Sequence, residues 1–352
     1  MLDPLTRLRK ALARQAVDRP PCICPGGMMN LVTRELMELS GHGWPAAHAD
    51  PAAMAALAAA AHPAGCFENH GLPFCMTVEA EALGARVAMG DMGSEPRVTA
   101  YPLAGLDGWE DLPAFDPGSS RAGIVAEAVR RLARRDDGVP VIANLTGPLS
   151  LAGSLVEPMI LYKALRRDPD RARAFIDRLS DHILAFGRTL LAAGADVVAL
   201  SDPSGTGEIL GPKLFAAYVL PAVNRIVRGL RQTRPQAGII VHICGKMHTV
   251  FPLLSTIEAD ALSFDAVVSL KKARLHLPDT ALMGNVSTFA LESGRPEKVA
   301  ALTRHSLTSG ADIVAPACGM GNASPLANVR AMLATVRNHV PGAQDHARHP
   351  LA

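Results

Sequence analysis

Short apolar runs alternate with longer helical patterns along most of this 352-residue chain. The clearest helical pattern is the amphipathic stretch Pro169–Ala193, and apolar runs at residues 139–145 and 195–200 flank it. Strands that alternate with helices in this way indicate a parallel sheet with crossover helices. The pattern yields about eight strands, the number in a (β/α)8 barrel. We therefore predict an α/β fold, a single TIM barrel domain with a small N-terminal helical extension.

The predicted barrel extends over residues 1–340, and residues 341–352 are predicted to be a flexible tail. An open doubly wound sheet is the competing topology, but no G-x-G-x-x-G motif follows a first strand. Residues 86–116 are rich in Gly and Pro, and we interpret them as an insertion or a short hairpin. The other predicted strands lie at residues 22–24, within 66–78, and at 238–243, 259–264, 281–284 and 311–315.

Polar or reactive side chains recur where the predicted strands end. In a (β/α)8 barrel these ends share one rim, where catalytic groups collect. We therefore expect the side chains to surround one site. They are Asn144, Asp202, His242, Cys244, Asp265, Asn285 and Cys318.

The charge balance excludes several partner classes. The chain carries 35 Lys and Arg against 33 Asp and Glu, so no electrostatic case exists for nucleic acid or an anionic membrane. No N-terminal apolar run resembles a secretion signal, and the alanine-rich stretch 51–61 is too short to span a bilayer. We expect a cytoplasmic protein, in which the six cysteines are packing residues or ligands.

His242 and Cys244 have the period-two spacing that puts two side chains on one face of a strand. Cys318 follows the last predicted strand, so the three converge if the barrel closes. One imidazole and two thiolates suit zinc, and three protein ligands leave an open, catalytic position. A sulfur-rich ligand set favours alkylation of a bound thiol. The alternative from spacing alone is that all three are packed strand residues.

Carboxylates and amides at the same rim are further candidates. Glu79, Asp202 and Asp265 could supply a fourth zinc ligand or orient the imidazole, as carboxylates near metal sites often do. Each is equally well placed to cap a following helix or turn. Asn144 and Asn285 could donate hydrogen bonds to a substrate.

Several segments along nearly the whole chain form a recognisable set. They are VDRPPCICPGGMMN at 17–30, FEN at 67–69, GLPFCMTVEAE at 71–81, HICG at 242–245, CG at 318–319 and SPLAN at 324–328. In these segments the sequence resembles the uroporphyrinogen decarboxylase superfamily, and within it the methylcobamide:coenzyme M methyltransferase branch. The resemblance implies a TIM barrel with His242, Cys244 and Cys318 as zinc ligands.

This resemblance implies a reaction and its substrates. A zinc-bound thiolate would attack the methyl group of a methylated corrinoid (a methylcobalamin-like cobamide), giving a thioether and Co(I). Coenzyme M is the acceptor that the family suggests. Another acceptor, or transfer from a small methyl donor onto the corrinoid, stays open. Met28, beside two glycines, could offer an apolar surface to the corrin ring, although core filling is the simpler interpretation.

The chain has no D-x-H-x-x-G motif to hold a corrinoid itself. The corrinoid is therefore expected to arrive on a separate small corrinoid-binding protein, or as free cobamide. A non-catalytic corrinoid-binding protein is a further alternative. The oligomeric state stays open, with a homodimer as one option.

A uroporphyrinogen decarboxylase-like lyase is the alternative within the superfamily. Its decarboxylases carry an arginine-rich segment after the first strand, which grips the porphyrinogen carboxylates. The segment Cys24-Pro25-Gly26-Gly27-Met28-Met29-Asn30 has no arginine, and the first one after it is Arg34. The sequence therefore favours the methyltransferase over the lyase.

Overall fold

The computed structural model describes residues 1–339, and a parallel six-stranded sheet lies at its centre. Its order is β1-β4-β5-β6-β7-β8, and each neighbouring pair is parallel. The antiparallel hairpin β2–β3 stands apart from it. The strands are β1 His70–Leu72, β2 Arg86–Ala88, β3 Arg97–Ala100, β4 Val141–Thr146, β5 Val197–Ser201, β6 Gly238–Ile243, β7 Ala261–Phe264 and β8 Ala281–Met283.

Two irregular segments complete the ring between β8 and β1. Ile313 makes a parallel bridge to Met283 of β8, and Val314 makes one to Cys22. The amide of Glu68 then donates to the carbonyl of Cys22, 2.9 Å away, just before β1 begins. Six strands and two bridged segments give the eight positions of a TIM barrel, which confirms the predicted fold.

The first and last segments are less regular than predicted. We expected strands at residues 22–24 and 311–315, and both make isolated bridges instead of a ladder. Pro21 and Pro25 flank one segment and Pro316 ends the other, and a proline has no N–H to donate. The side chain of Asn69 replaces part of the missing ladder, since it accepts from the amide of Cys24 and donates to its carbonyl, both at 2.8 Å.

Helices follow the strands and cover the outside of the barrel. The predicted helix Pro169–Ala193 is confirmed at both ends, with Gly194 in the left-handed conformation after it. A π-helical turn, Phe215–Val219, joins α9 to α10. The helices are α1 Pro4–Leu12, α2 Arg34–Ser40, α3 Pro51–Ala60, α4 Val78–Ala82, α5 Ser120–Ala133, α6 Pro148–Leu155, α7 Pro158–Arg167, α8 Pro169–Ala193, α9 Gly207–Leu214, α10 Leu220–Thr233, α11 Phe251–Leu254, α12 Leu270–His276, α13 Thr288–Ser293, α14 Pro296–Thr308 and α15 Leu326–Arg337.

The core fills the barrel and the layer between barrel and helices. Both β4 and β5 are buried along their whole length, as expected of barrel strands covered by helices outside and by side chains inside. α1 precedes the first segment and is the predicted N-terminal helical extension. Within residues 1–339, no helix combines the length and the apolar character needed to cross a lipid bilayer. The predicted tail, 341–352, lies outside the described residues.

The hairpin β2–β3 confirms the interpretation of residues 86–116, and its turn touches the barrel rim. The side chain of Asn30, after the first segment, donates to Glu95 over 3.0 Å. The side chain of Asn322, after the last segment, donates to the carbonyl of Met92, also at 3.0 Å. The turn is therefore tied to the rim on both sides of the place where the barrel closes.

Candidate metal centre at the barrel mouth

One imidazole and two thiols converge where β6 and the last bridged segment of the ring end. His242 lies in β6, Cys244 follows that strand directly, and Cys318 follows the last bridged segment. Nε2 of His242 lies 2.9 Å from Sγ of Cys244, which lies 2.6 Å from Sγ of Cys318. The three donor atoms fall within 4.8 Å of one another, as the ligands of one ion do. His242 is buried, while both cysteines are half-buried and open to the mouth.

The two thiols share their protons unequally. The hydrogen bond from Cys244, followed by contact with His242, lowers the pKa of Cys318 to about 5. The pKa of Cys244 is raised by its hydrogen bond to Cys318 and by burial. A thiolate beside an imidazole nitrogen is a donor set suited to a borderline-soft divalent cation. The residues present therefore fit zinc, with a fourth position free on the open side.

Ser263 orients the imidazole. Its hydroxyl lies 2.9 Å from Nδ1 of His242, across the β6–β7 pairing in which the two residues are in register. The hydroxyl is also 3.7 Å from Sδ of Met29, and both residues are buried. Metal-ligating histidines commonly bond a polar group through the second nitrogen, which fixes the ring. The sequence analysis missed Ser263; its one signal is a lone hydroxyl in the apolar strand Ala261–Phe264.

Asp265 is the carboxylate beside the ligands. It follows β7, is half-buried, and accepts from the amide of Gly245 over 3.3 Å and from that of Val267 over 3.1 Å. Gly245 is the next residue after Cys244, and the negative charge of Asp265 contributes to the raised pKa of that cysteine. The predicted role of Asp265 at the metal is thus compatible with its position, and it stays a prediction.

Asp202 bonds the start of a helix. Its carboxylate accepts from the amides of Leu149 at 3.1 Å and Ser150 at 2.8 Å, and from the hydroxyl of Ser150 at 2.7 Å. Both amides belong to the first turn of α6. The side chain is fully buried, and burial raises its pKa. The sequence left open a cap of the following helix or turn and a role at the metal. The helix that Asp202 bonds, α6, instead precedes it in the chain, the side chain makes no cap bond to the turn that follows, and the role at the metal stays a prediction.

Glu79 and Asn144 bind the ends of β4 and β5. Glu79, in α4, accepts from the amide of Thr146 at 2.7 Å and from its hydroxyl at 3.0 Å, and burial raises the pKa of the carboxyl. The side-chain amide of Asn144 donates to the hydroxyl of Ser201 at 2.9 Å. The side-chain oxygen of Asn144 packs against Gly27. A Cβ added to Gly27 would lie 1.9 Å from that oxygen, so only glycine fits there. Both side chains thus brace the mouth, and their predicted roles in catalysis and substrate binding stay predictions.

Asn285 and Met28 approach the site from two other loops. The amide nitrogen of Asn285 donates to the carbonyls of Asp265 at 2.9 Å and Val268 at 2.8 Å, so it holds the loop that carries Asp265. Its two N–H donors are occupied by backbone, which differs from the predicted donation to a substrate. Met28 is half-buried, and its carbonyl oxygen packs against Gly319. A Cβ added to Gly319 would lie only 2.7 Å from that oxygen. Met28 is therefore a neighbour of the loop that carries Cys318.

A charged pair beside the ligands was also missed by the sequence analysis. Glu208, in α9, accepts from the amide of Lys246 at 3.2 Å and pairs with its ammonium group at 3.3 Å. These contacts hold the loop after Cys244 against α9. The sequence feature that could have indicated this pair is the position of Lys246, only two residues after the predicted ligand Cys244.

A model of the uroporphyrinogen decarboxylase (URO-D) family matches residues 3–339, which include every strand of the barrel and all three candidate ligands. The chain belongs to the uroporphyrinogen decarboxylase family. The resemblance inferred from the sequence motifs is thereby confirmed.

Individual relatives identify the branch of the uroporphyrinogen decarboxylase family. The chain is 31% identical over 338 residues to the methylcobamide:CoM methyltransferase MtbA of Methanosarcina acetivorans, covering 96% of this chain and 98% of that protein. It is 32% identical over 335 residues to the methylated-thiol–coenzyme M methyltransferase of Methanosarcina mazei, covering 94% and 89%. A solved methyltransferase structure from Methanosarcina mazei superposes with a TM-score of 0.88 at 29% identity, covering 96% of this chain and 99% of that one. These relatives confirm the predicted branch and enzyme class, a methyltransferase.

Proposed function

We propose that this methyltransferase binds one zinc ion through His242, Cys244 and Cys318 and transfers a methyl group from a methylated corrinoid to a small thiol. The observation that carries the proposal is the convergence of one imidazole nitrogen and two sulfurs at the open end of the barrel. Relatives of nearly the same length bear names that specify methylcobamide and coenzyme M.

The ligand set supports a thiol as the nucleophile. Zinc bound at these residues supplies the positive charge that lowers the pKa of an incoming thiol. His242 and the two cysteines leave one side open for the acceptor sulfur. Ser263 holds the imidazole with Nε2 towards the two sulfurs, and the half-buried position of both cysteines keeps the site accessible.

The transfer is a direct displacement. The acceptor thiol releases its proton to solvent, and its sulfur attacks the methyl carbon of the corrinoid. The carbon–cobalt bond breaks, its electron pair stays on cobalt, and Co(III) becomes Co(I) while a thioether forms. The chain holds the acceptor sulfur in place and excludes other nucleophiles. We propose that, before the thiol binds, the carboxylate of Asp265 lies near the open zinc position.

Metal analysis combined with a thiol panel tests this function. Purified protein is assayed for zinc and then mixed with methylcobalamin and candidate thiols, including coenzyme M, while the corrinoid spectrum is followed. We expect about one zinc per chain and thiol-dependent demethylation. Cys318→Ala should lose both, whereas the matched variant Cys66→Ala, which alters a buried core cysteine, should keep both. Active protein without zinc would contradict the proposal.

The same assay separates two other functions. A lyase of the uroporphyrinogen decarboxylase type would release CO2 from uroporphyrinogen and need no zinc. Such a lyase needs arginines that grip the porphyrinogen carboxylates, and Arg34 gives little support for this. Arg34 is exposed, and its side chain lies by the hairpin turn, 3.5 Å from where a Cβ on Gly93 would be. Transfer in the opposite sense, from a small methyl donor to Co(I) corrinoid, would appear as methyl donor-dependent formation of the methylcorrinoid spectrum.

We further propose that the corrinoid is delivered on a separate small protein. The basis is the sequence, which carries no corrinoid-binding D-x-H-x-x-G motif. Steady-state rates with free methylcobalamin and with a methylated corrinoid protein compare the two routes directly. A carrier protein that lowers KM for the corrinoid supports delivery by a partner.

A further inference from the structure

Three large apolar side chains are exposed on connections that follow β5, β7 and β8. Ile209 lies in α9 after β5, Val267 in the loop after β7, and Phe289 at the start of α13 after β8. Their exposed fractions are 46%, 63% and 85%, respectively. Such residues scattered singly are ordinary, but these follow strands on both sides of β6, the strand whose following loop carries Cys244.

Two of these residues, Val267 and Ile209, lie on segments that hydrogen bonds join to the loop after Cys244. The amide of Val267 donates to Asp265, which in turn accepts from the amide of Gly245. Glu208, next to Ile209, accepts from the amide of Lys246. The segments that carry Val267 and Ile209 are therefore held in position relative to Cys244, as a surface that aligns a second molecule with the reacting sulfur must be.

Unpaired positive charge borders the apolar residues. Lys271 and Lys272, in the first turn of α12, are both exposed and make no ion pair with any of residues 1–339. A second copy of this chain packed symmetrically on this face would bring its lysines towards these. Like charges at an interface disfavour association, whereas an acidic surface would be attracted. The charge therefore points to a different, acidic protein.

We propose that Val267, Phe289, Lys271 and Lys272, together termed the rim patch, dock the protein that carries the methylated corrinoid, through an acidic and partly apolar face on that carrier. The inference rests on the proposed function and adds where the partner binds and by what chemistry. The methyl carbon must come within about 3–3.5 Å of the acceptor sulfur for displacement. A carrier too large to enter the barrel must therefore rest on the rim, where the rim patch offers it two apolar side chains and two ammonium groups beside the loops of the metal centre.

The test compares two forms of the methyl donor. The probes are free methylcobalamin and a small methylated corrinoid protein from the organism that makes this chain, selected for turnover with the unaltered enzyme. For Phe289→Ala and for the double variant Lys271→Glu/Lys272→Glu we expect KM for the corrinoid protein to rise at least ~10-fold, as for residues central to an interface. The rate with free methylcobalamin should stay unchanged, and the lysine variant should also lose the salt dependence of KM.

Met159→Glu provides the matched control. Met159 is 60% exposed, in α7 after β4. Four steps around the ring separate β4 from β8, so the connection that carries Met159 follows the strand opposite the one before Phe289. We expect its substitution to leave KM for the corrinoid protein unchanged. An equal loss in Met159→Glu would overturn the assignment to the rim patch.

Each remaining outcome decides the inference. If free methylcobalamin is demethylated but no corrinoid protein of the organism supports turnover, the docking inference fails and the proposed function stands. If neither donor is demethylated, the proposed function fails and the inference with it. If the enzyme is a dimer and Phe289→Glu makes it monomeric, a second copy occupies the rim patch and the inference is wrong.

Discussion

The imidazole of His242 and the hydroxyl of Ser263 face each other across β6 and β7, with Nδ1 and Oγ 2.9 Å apart. The two residues are partners in the strand register, so the contact follows from backbone pairing and needs no loop to position it. With Nδ1 engaged, Nε2 is the nitrogen left to meet the sulfur of Cys244.

Ser263→Ala should weaken zinc binding. Loss of the hydroxyl leaves the imidazole free to rotate, and removal of such a partner typically costs 10–100-fold in metal affinity. The measurement is a competition titration against a chromophoric zinc chelator. The control is Ser201→Ala, which removes a rim serine bonded to Asn144 and should leave the affinity unchanged. Equal affinities for Ser263→Ala and the unaltered protein would contradict the predicted role.

Asp202→Ala should destabilise the fold and spare the metal. Two amides of α6 and the hydroxyl of Ser150 would lose their shared acceptor in a fully buried place. We expect the free energy of unfolding to fall by about 2–4 kcal/mol, measured by denaturant titration.

Asp265→Ala is the counterpart to that experiment. Its carboxylate is half-buried beside Gly245, so we expect a small loss of stability and weaker zinc binding in the absence of thiol. Zinc content that falls in Asp202→Ala but not in Asp265→Ala would reverse the two assignments.

The candidate ligands could be predicted from sequence because strand ends are recognisable and a barrel brings all of them to one rim. His242, Cys244 and Cys318 needed no knowledge of strand register. Ser263 did, since its contact with His242 depends on which residue of β7 pairs with which residue of β6. For Asp202 the pattern was compatible with a cap of the following helix or turn and with a site residue, but its bonds go to α6, earlier in the chain, which only the three-dimensional fold brings next to it.

The closing segments of the barrel show a second limit of the sequence. Apolar runs at residues 22–24 and 311–315 predicted regular strands, but the flanking prolines leave only isolated bridges there. Two hydrogen bonds of the first segment, both at Cys24, come from the side chain of Asn69, more than forty residues further along the chain. Periodicity within a short window contains no information about such a distant partner.

Asn285→Ala should loosen the loop that holds Asp265. Two backbone carbonyls, those of Asp265 and Val268, would lose their donor. We expect a loss of about 1–3 kcal/mol in unfolding free energy, with weaker zinc binding as a second effect. The control is Asn224→Ala. Asn224 makes similar bonds to the 256–258 loop, at positions away from the ligands in the sequence. Its substitution should lower the stability and leave zinc binding unchanged. A raised KM for the thiol at unchanged stability would instead favour the substrate-binding role.

Glu95→Gln should stabilise the protein above neutral pH. Burial raises the pKa of Glu95 from its usual 4.5 to about 7, although its carboxylate accepts from Asn30 at 3.0 Å. Below pH 4.5 the group is protonated in both the folded and the unfolded chain. As pH rises from 4.5 to about 7, only the unfolded chain ionises fully, so the free energy of unfolding falls across that window and stays lower above it.

Glutamine keeps the oxygen that Asn30 bonds and never ionises. At pH 8 the variant should therefore exceed the unaltered protein by on the order of 1–3 kcal/mol in unfolding free energy, and at pH 4 the difference should vanish. Denaturant titrations at both pH values measure it. Glu38→Gln, at an exposed position in α2, should show no pH-dependent difference. A gain for Glu95→Gln that is the same at pH 4 and pH 8 would mean that packing of the hairpin turn, and not ionisation of Glu95, sets the effect.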